Sequence, residues 1–211
     1  MSDKTKLNIK RFILMLMGNV FIGMGVAFIK MSLLGNDPCS SLTIAFSAAI
    51  HQKLSIGLII FNCFYFLIEL IWGRKYIGLG TFFNWTCVGF VCDWFTELLN
   101  ITPVTFGLKF VLMLAGGLVI SLGAALYQTS NEGIAPYDSI AIILSEHLPI
   151  HYFWCRMITD SLCALGAFFL GGPLGIGTVV CAFGLGPCIV FFTRYVARPL
   201  LGIKKEQKKI I

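Results

Sequence analysis

Six runs of about twenty apolar residues occupy most of this chain, at 12–29, 55–72, 78–98, 107–127, 152–170 and 175–197. Twenty helical residues are what it takes to cross ~30 Å of hydrocarbon. The charges avoid these runs. Ten of the 26 charged residues lie before residue 12 or after residue 203, and sixteen are spread over the 192 residues between. A soluble domain needs roughly 25% of its residues charged to face water, and this chain has 12%. A water-soluble globule, a disordered chain and a disulfide-rich secreted domain are therefore excluded, and an integral membrane protein is expected.

The net charge of +6 does not point to nucleic acid. The basic residues cluster at the ends (Lys4, Lys6, Lys10, Arg11; Arg194, Arg198, Lys204, Lys205, Lys208, Lys209) and in one loop (Arg74, Lys75). That is where a cytoplasmic membrane face would want them. No small-residue cleavage site follows the first apolar run, so no cleavable signal peptide is expected. The eight cysteines lie almost entirely inside apolar runs without CxxC spacing, and read as small packing residues.

The chain also repeats itself. Residues 18–47 match 116–145 at ten of thirty positions, among them Gly18, Gly25, Ser32, Gly35, Pro38 and Ser41. One residue's change of offset then lays Gly78, Gly80, Thr81 and Gly89 on Gly175, Gly177, Thr178 and Gly186. Duplication of this kind marks transporter folds. The chain divides on this reading into a basic tail 1–11, a first unit 12–100, a second unit 101–200 and a basic tail 201–211.

Each unit adds a run too short to cross, 39–50 and 137–148. Twelve helical residues rise only ~18 Å. Both follow a Gly-x-x-Pro turn, Gly35 to Pro38 and Gly133 to Pro136. Glycine ends the preceding helix, proline suits the first turn of the next, and Asp37 stands where an N-cap stands. These segments read as half-helices that enter the membrane and return. Three crossings per unit is an odd number, so the second unit is inverted. The expected fold is an all-α membrane protein of six transmembrane helices plus two short re-entrant half-helices, as two inverted three-helix repeats. Both termini then face the cytoplasm, although Lys30 and Lys53 fall on the outer side. The alternative has the short helices crossing fully, four per unit, which places Arg74 and Lys75 outside.

Irregular backbone inside hydrocarbon needs protein or water around it, so paired half-helices imply a polar cavity. Candidate substrate-binding residues are Ser40, Ser41, Asn62, Asp138, Ser139, Arg156 and Asp160. The half-helix N-termini offer N–H groups and a positive dipole end to an anion. Asp138 argues instead for an amine, a cation or a proton, and the serines could equally cap their own helices. Asn62 and Asp160 hold equivalent places deep in long helices, where an ionisable group is a functional candidate by default. Arg156 precedes Asp160 by four residues, so the two share a helix face. Glu69 is expected to snorkel to the interface beside Arg74 and Lys75. Asp93 and Glu97 share one face, with Asp93 as an outer-vestibule candidate. Glu132 sits in the turn before Pro136 as a gate or a solvated side chain. Gly80, Thr81, Gly177 and Thr178 read as packing positions, since they follow no strand and lack a P-loop lysine. His51, His147 and His151 show no HxxxH pair on one helix with a carboxylate partner, so no metal or cofactor is expected. Nothing resembles a nucleophile–base constellation, and no enzyme is expected.

The series Gly35-Asn36-Asp37-Pro38, Leu54-Ser55-Ile56-Gly57 and Leu79-Gly80-Thr81-Phe82-Phe83-Asn84, followed by Asp93, resembles the bacterial YczE/YyaS/YitT membrane proteins. Gly133-Ile134-Ala135-Pro136 and Gly175-Ile176-Gly177-Thr178 repeat it. The resemblance implies a multi-pass protein of the bacterial cytoplasmic membrane and a transport role without a settled substrate. Family members often carry an aromatic after the first proline, where this chain has Cys39. The leading expectation is a secondary transporter or facilitator for a small polar, anionic or zwitterionic solute. A substrate-binding subunit of a multi-component importer and a non-transporting accessory protein are the alternatives. The expected partners are the lipid bilayer and an unidentified solute, with self-association or importer subunits open.

Overall fold

The computed structural model describes residues 3–52 and 54–202, and among these it is helical throughout, without strands. Eight helices carry the architecture: α1 (Asp3–Ser32), α2 (Pro38–Ala49), α3 (Leu54–Trp72), α4 (Leu79–Leu99), α5 (Phe106–Ser130), α6 (Pro136–His147), α7 (Tyr152–Phe169) and α8 (Ile176–Phe192). A π-helical turn (Thr193–Ala197) and a last short turn (Arg198–Leu200) extend α8. Lys53 and the C-terminal Lys204, Lys205, Lys208 and Lys209 lie outside the described residues, as do the side chains of Lys4 and Lys6.

The first tail differs from expectation. It is not separate from the first apolar run: α1 begins at Asp3 and runs unbroken through it, because no glycine or proline interrupts residues 3–11. Three helical stretches are long and apolar enough to cross a membrane by length and composition: Leu7–Ser32, Phe106–Ser130 and Ile176–Leu200. Ile59–Trp72 is a shorter apolar helix. Large apolar side chains such as Phe64, Phe90, Leu162, Phe169 and Val179 point outward on these and the neighbouring helices. Such a surface suits lipid rather than water.

The most extensive packing joins α1 to α5. It depends on glycines at the crossing. A Cβ on Gly25 would stand 2.7 Å from the Gly116 carbonyl oxygen, and one on Gly123 would stand 2.6 Å from that of Gly18. Early α1 thus meets late α5 and late α1 meets early α5, so the two helices are antiparallel. Helix α4 instead runs the same way as α1. Asn84 Nδ2 donates to Asn19 Oδ1 at 2.8 Å, and further along Lys30 pairs with Asp93 at 3.2 Å.

The turns after α1 and α5 are built alike. Leu33 and Asn131 adopt φ of 56° and 59°, and Gly35 and Gly133 adopt φ of 108° and 117°, the left-handed region that glycine enters without strain. Ser32 Oγ and Ser130 Oγ donate back to the carbonyls of Ile29 and Tyr127, each at 2.6 Å. Each turn is then fastened to a helix start in the other half of the chain. Gly80 N donates to the Glu132 carbonyl and Gly177 N to the Leu34 carbonyl, both at 2.8 Å. Thr81 Oγ1 donates to Ile134 O at 2.8 Å and Thr178 Oγ1 to Asn36 O at 2.7 Å. These bonds satisfy turn carbonyls that a buried loop would otherwise leave unpaired. The same crossing-over governs the short helices, since α2 packs on α7 and α6 on α3.

Gly25→Ala and Gly123→Ala should each destabilise the protein by about 1–3 kcal/mol through overpacking at the crossing. Gly117→Ala on the same helix, where a Cβ meets nothing within 4 Å, should be near neutral. Thermal unfolding in detergent measures all three, and equal melting temperatures would mean that the two backbones do not approach this closely.

Candidate functional site

Proline opens both short helices, fixing the first-turn backbone without wasting an N–H. Asp37 caps α2, its Oδ2 accepting from Ser40 N at 3.0 Å, as its position before Pro38 led one to expect. Ala135 precedes α6 and offers no side-chain cap, but Asp138 lies in that helix's first turn. Both N-termini open on one cavity of about 180 Å³. Asp37, Cys39 and Ser40 line it from α2 and its cap, and Ala135, Pro136, Tyr137 and Asp138 from α6 and its cap. Asn62 of α3, Asn84 and Trp85 of α4 and Arg156 of α7 complete the polar wall. Ile22 and Val26 of α1, Ile120 and Ala124 of α5, and Leu185 and Ile189 of α8 form the apolar wall. These α1 and α5 residues belong to the stretch where the two antiparallel helices cross.

Arg156 is the electrostatic centre. Its side chain is buried, with Nη1 bonded to Asp138 and Nε to Asp160 Oδ2 at 3.2 Å. The expected Arg156–Asp160 pair is thus part of a larger network. Tyr127 donates its hydroxyl to Asp138 and Tyr137 donates its own to Asp160. The guanidinium also lies 4.8 Å from the Tyr137 ring centroid, a favourable cation–π distance. One base is shared by two acids, and Asp37 is a third acid on the cavity wall. On the α2 side, the Tyr65 hydroxyl lies between Cys39 Sγ at 4.0 Å and Cys163 Sγ at 3.8 Å.

The candidate residues divide by position. Ser40, Asn62, Asp138 and Arg156 line the cavity. Asp160 is buried behind Arg156 and reaches the cavity through it. Ser41 and Ser139 are buried and turned to backbone, Ser41 donating to Asn36 O and Pro173 O, Ser139 to Pro136 O. Gly80, Thr81, Gly177 and Thr178 sit in the turn-to-helix junctions, away from it.

One expectation needs correction. Glu69 does not snorkel outward beside Arg74 and Lys75. It is fully buried, and neither carboxylate oxygen has a partner at hydrogen-bonding geometry among the described residues. It lies on the face of α3 that packs on α6, within electrostatic reach of Asp138 and Ser139. Lys75 pairs instead with Glu146 at 2.6 Å. Asp93 is exposed, holds Lys30 at 3.2 Å and is not among the residues that line the cavity. Sequence reasoning passed over Tyr127, Asn84 and Trp85. The two asparagines Asn19 and Asn84, each alone in an apolar run, were the available signal for the second.

Comparison with known proteins fits this picture. The model of a family of unknown function, DUF6198, matches residues 9–194, a span that holds every residue of the cavity. An uncharacterized protein of Haemophilus influenzae is 28% identical over 180 residues, covering 84% of this chain and 80% of that one. The uncharacterized membrane protein YczE of Bacillus subtilis is 25% identical over 177 residues, covering 82% and 81%. The uncharacterized protein YyaS of Bacillus subtilis is 25% identical over 174 residues, covering 80% and 86%. No solved structure matches the chain. The resemblance to YczE and YyaS read from the motifs therefore holds. The apolar helices and these relatives make the chain a membrane protein in contact with a lipid bilayer.

Removing Arg156, the one buried cation among the described residues, should be costly. Arg156→Met leaves Asp138 and Asp160 facing each other without a counter-charge, for an expected loss of about 3–5 kcal/mol. Tyr127→Phe removes a single hydroxyl donor to a carboxylate and should cost about 1.5–3 kcal/mol. Equilibrium unfolding in detergent compares them, and an Arg156→Met protein as stable as the parent would show that the network is not closed as described.

Proposed function

The chain belongs to the DUF6198 family of unknown function, and we propose that it is a secondary transporter or facilitator for a small polar solute in the bacterial cytoplasmic membrane. One observation carries this reading: the N-termini of two short helices and a buried Arg–Asp network converge on a single cavity beside the α1–α5 crossing. Short helices meeting at a polar site between oppositely directed halves are the layout of many solute carriers. Asp160 and Asp138 can trade Arg156 between them, which supplies two electrostatic states for an alternating cycle.

In this reading α1, α3, α4, α5, α7 and α8 cross the membrane, and α2 and α6 enter and return. Helix α8, 17 residues by itself, continues through the π-helical turn to Leu200, and α7, with 18 residues, rises about 27 Å. The helix directions support it. Three crossings per unit make α1 and α4 parallel and α1 and α5 antiparallel, as their contacts are. Four crossings per unit would reverse both relations. The matched turn-to-helix bonds support two inverted units, 12–100 and 101–200. The basic ends and the Arg74–Lys75 loop then face the cytoplasm.

A fluorescent protein fused to the C-terminus should fluoresce, and alkaline phosphatase inserted near residue 103 should be active. Activity at residue 75 instead would reject the topology. In proteoliposomes, a panel of amines, amino acids, carboxylates and phosphate should contain a solute that moves saturably. Asp160→Asn should lower its accumulation at least about tenfold, and dissipating the proton gradient should do the same. A panel without any protein-dependent flux would remove the transport reading.

A further inference from the structure

From charge and shape we infer that the cavity takes a small organic cation, an amine or quaternary ammonium, held between Asp37 and Asp138. This rests on the transport reading of the same cavity and names its substrate class. The helix N-termini would ordinarily invite an anion, but here both positive ends are already matched by acids of their own. Asp37 Oδ2 accepts from Ser40 N at 3.0 Å, and Asp138 occupies the first turn of α6. The cavity's one cation is equally committed: Arg156 gives Nη1 to Asp138 and Nε to Asp160. An incoming anion would face three acids set against one base in a low-dielectric setting, whereas a monovalent cation would redress that imbalance.

Two further observations agree with a cation. Tyr137 and Trp85 line the cavity, and aromatic rings attract ammonium groups. Asn84 gives one amide N–H to Asn19 Oδ1 at 2.8 Å, and its carbonyl oxygen remains an acceptor for an ammonium N–H. Size limits the ligand. A cavity of about 180 Å³ is close to one that holds benzene, so a ligand of roughly six to ten non-hydrogen atoms fits.

The test is binding to the purified full-length protein in detergent, followed by thermal unfolding and tryptophan fluorescence at constant ionic strength. The probes are propylammonium and choline against propionate and inorganic phosphate. At least one of the cations should stabilise saturably, and neither anion should. Asp37→Asn should weaken that cation at least about tenfold while still folding, because asparagine caps a helix as well as aspartate. Asn62→Asp, which adds a carboxylate to the cavity wall, should tighten it. Saturable binding of propionate or phosphate without binding of the cations would overturn the cation assignment and leave the transport reading standing. Unchanged cation affinity in Asp37→Asn would overturn the proposed carboxylate pair. If none of the four probes binds, the cation assignment falls, and if the proteoliposome panel is also silent the transport reading falls with it.

Discussion

Backbone that leaves the helical path inside a bilayer must find a partner for its N–H and C=O groups, since lipid offers none. In the proposed topology the turns after Ser32 and after Ser130 meet this demand, and the two are fastened in the same way. The carbonyls of one turn are taken up by the start of a helix from the other half, through a glycine N–H and a threonine hydroxyl. The short helices begin where they do because these turns are held. The cavity exists because the short helices begin there. Packing glycines at the α1–α5 crossing bring the two halves close enough for the exchange.

Charge inside this frame is arranged with little redundancy. A lone arginine buried in an apolar bundle would be untenable, and so would a lone aspartate. Arg156, Asp138 and Asp160 make each other tolerable, with tyrosine hydroxyls from α5 and α6 filling the remaining acceptor positions. The arrangement sets two acids against one base. Well-packed apolar residues would serve stability as well, and the excess of acids is what the proposed binding role accounts for.

Much of this was legible in the order of residues. The short helices start at Pro38 and Pro136 because Gly-x-x-Pro turns dictate it, and both are twelve residues long as their apolar runs indicated. The four-residue spacing of Arg156 and Asp160 was enough to place them together. Spacing could not show that Asp138 joins them, because that contact depends on how α6 lies against α7. For the same reason Glu69 was misplaced: α3 turns it inward against α6, while Lys75, beyond the end of α3, is taken by Glu146. Ser41 and Ser139, alike in sequence to Ser40, point to backbone rather than cavity. Helical phase against neighbours decides this, and no local pattern encodes it.

The reciprocal fastening also sets an order of assembly. Thr81 finds its acceptor 53 residues later in the chain, whereas the Asn36 carbonyl waits for a hydroxyl 142 residues downstream. At ribosomal speeds of about 5–20 residues per second, that wait is roughly 7–30 s. Through that interval the nascent first half holds an open polar bend that only its unborn counterpart can close. The turn after α1 therefore cannot be fastened as it is in the finished molecule until Thr178 has been made.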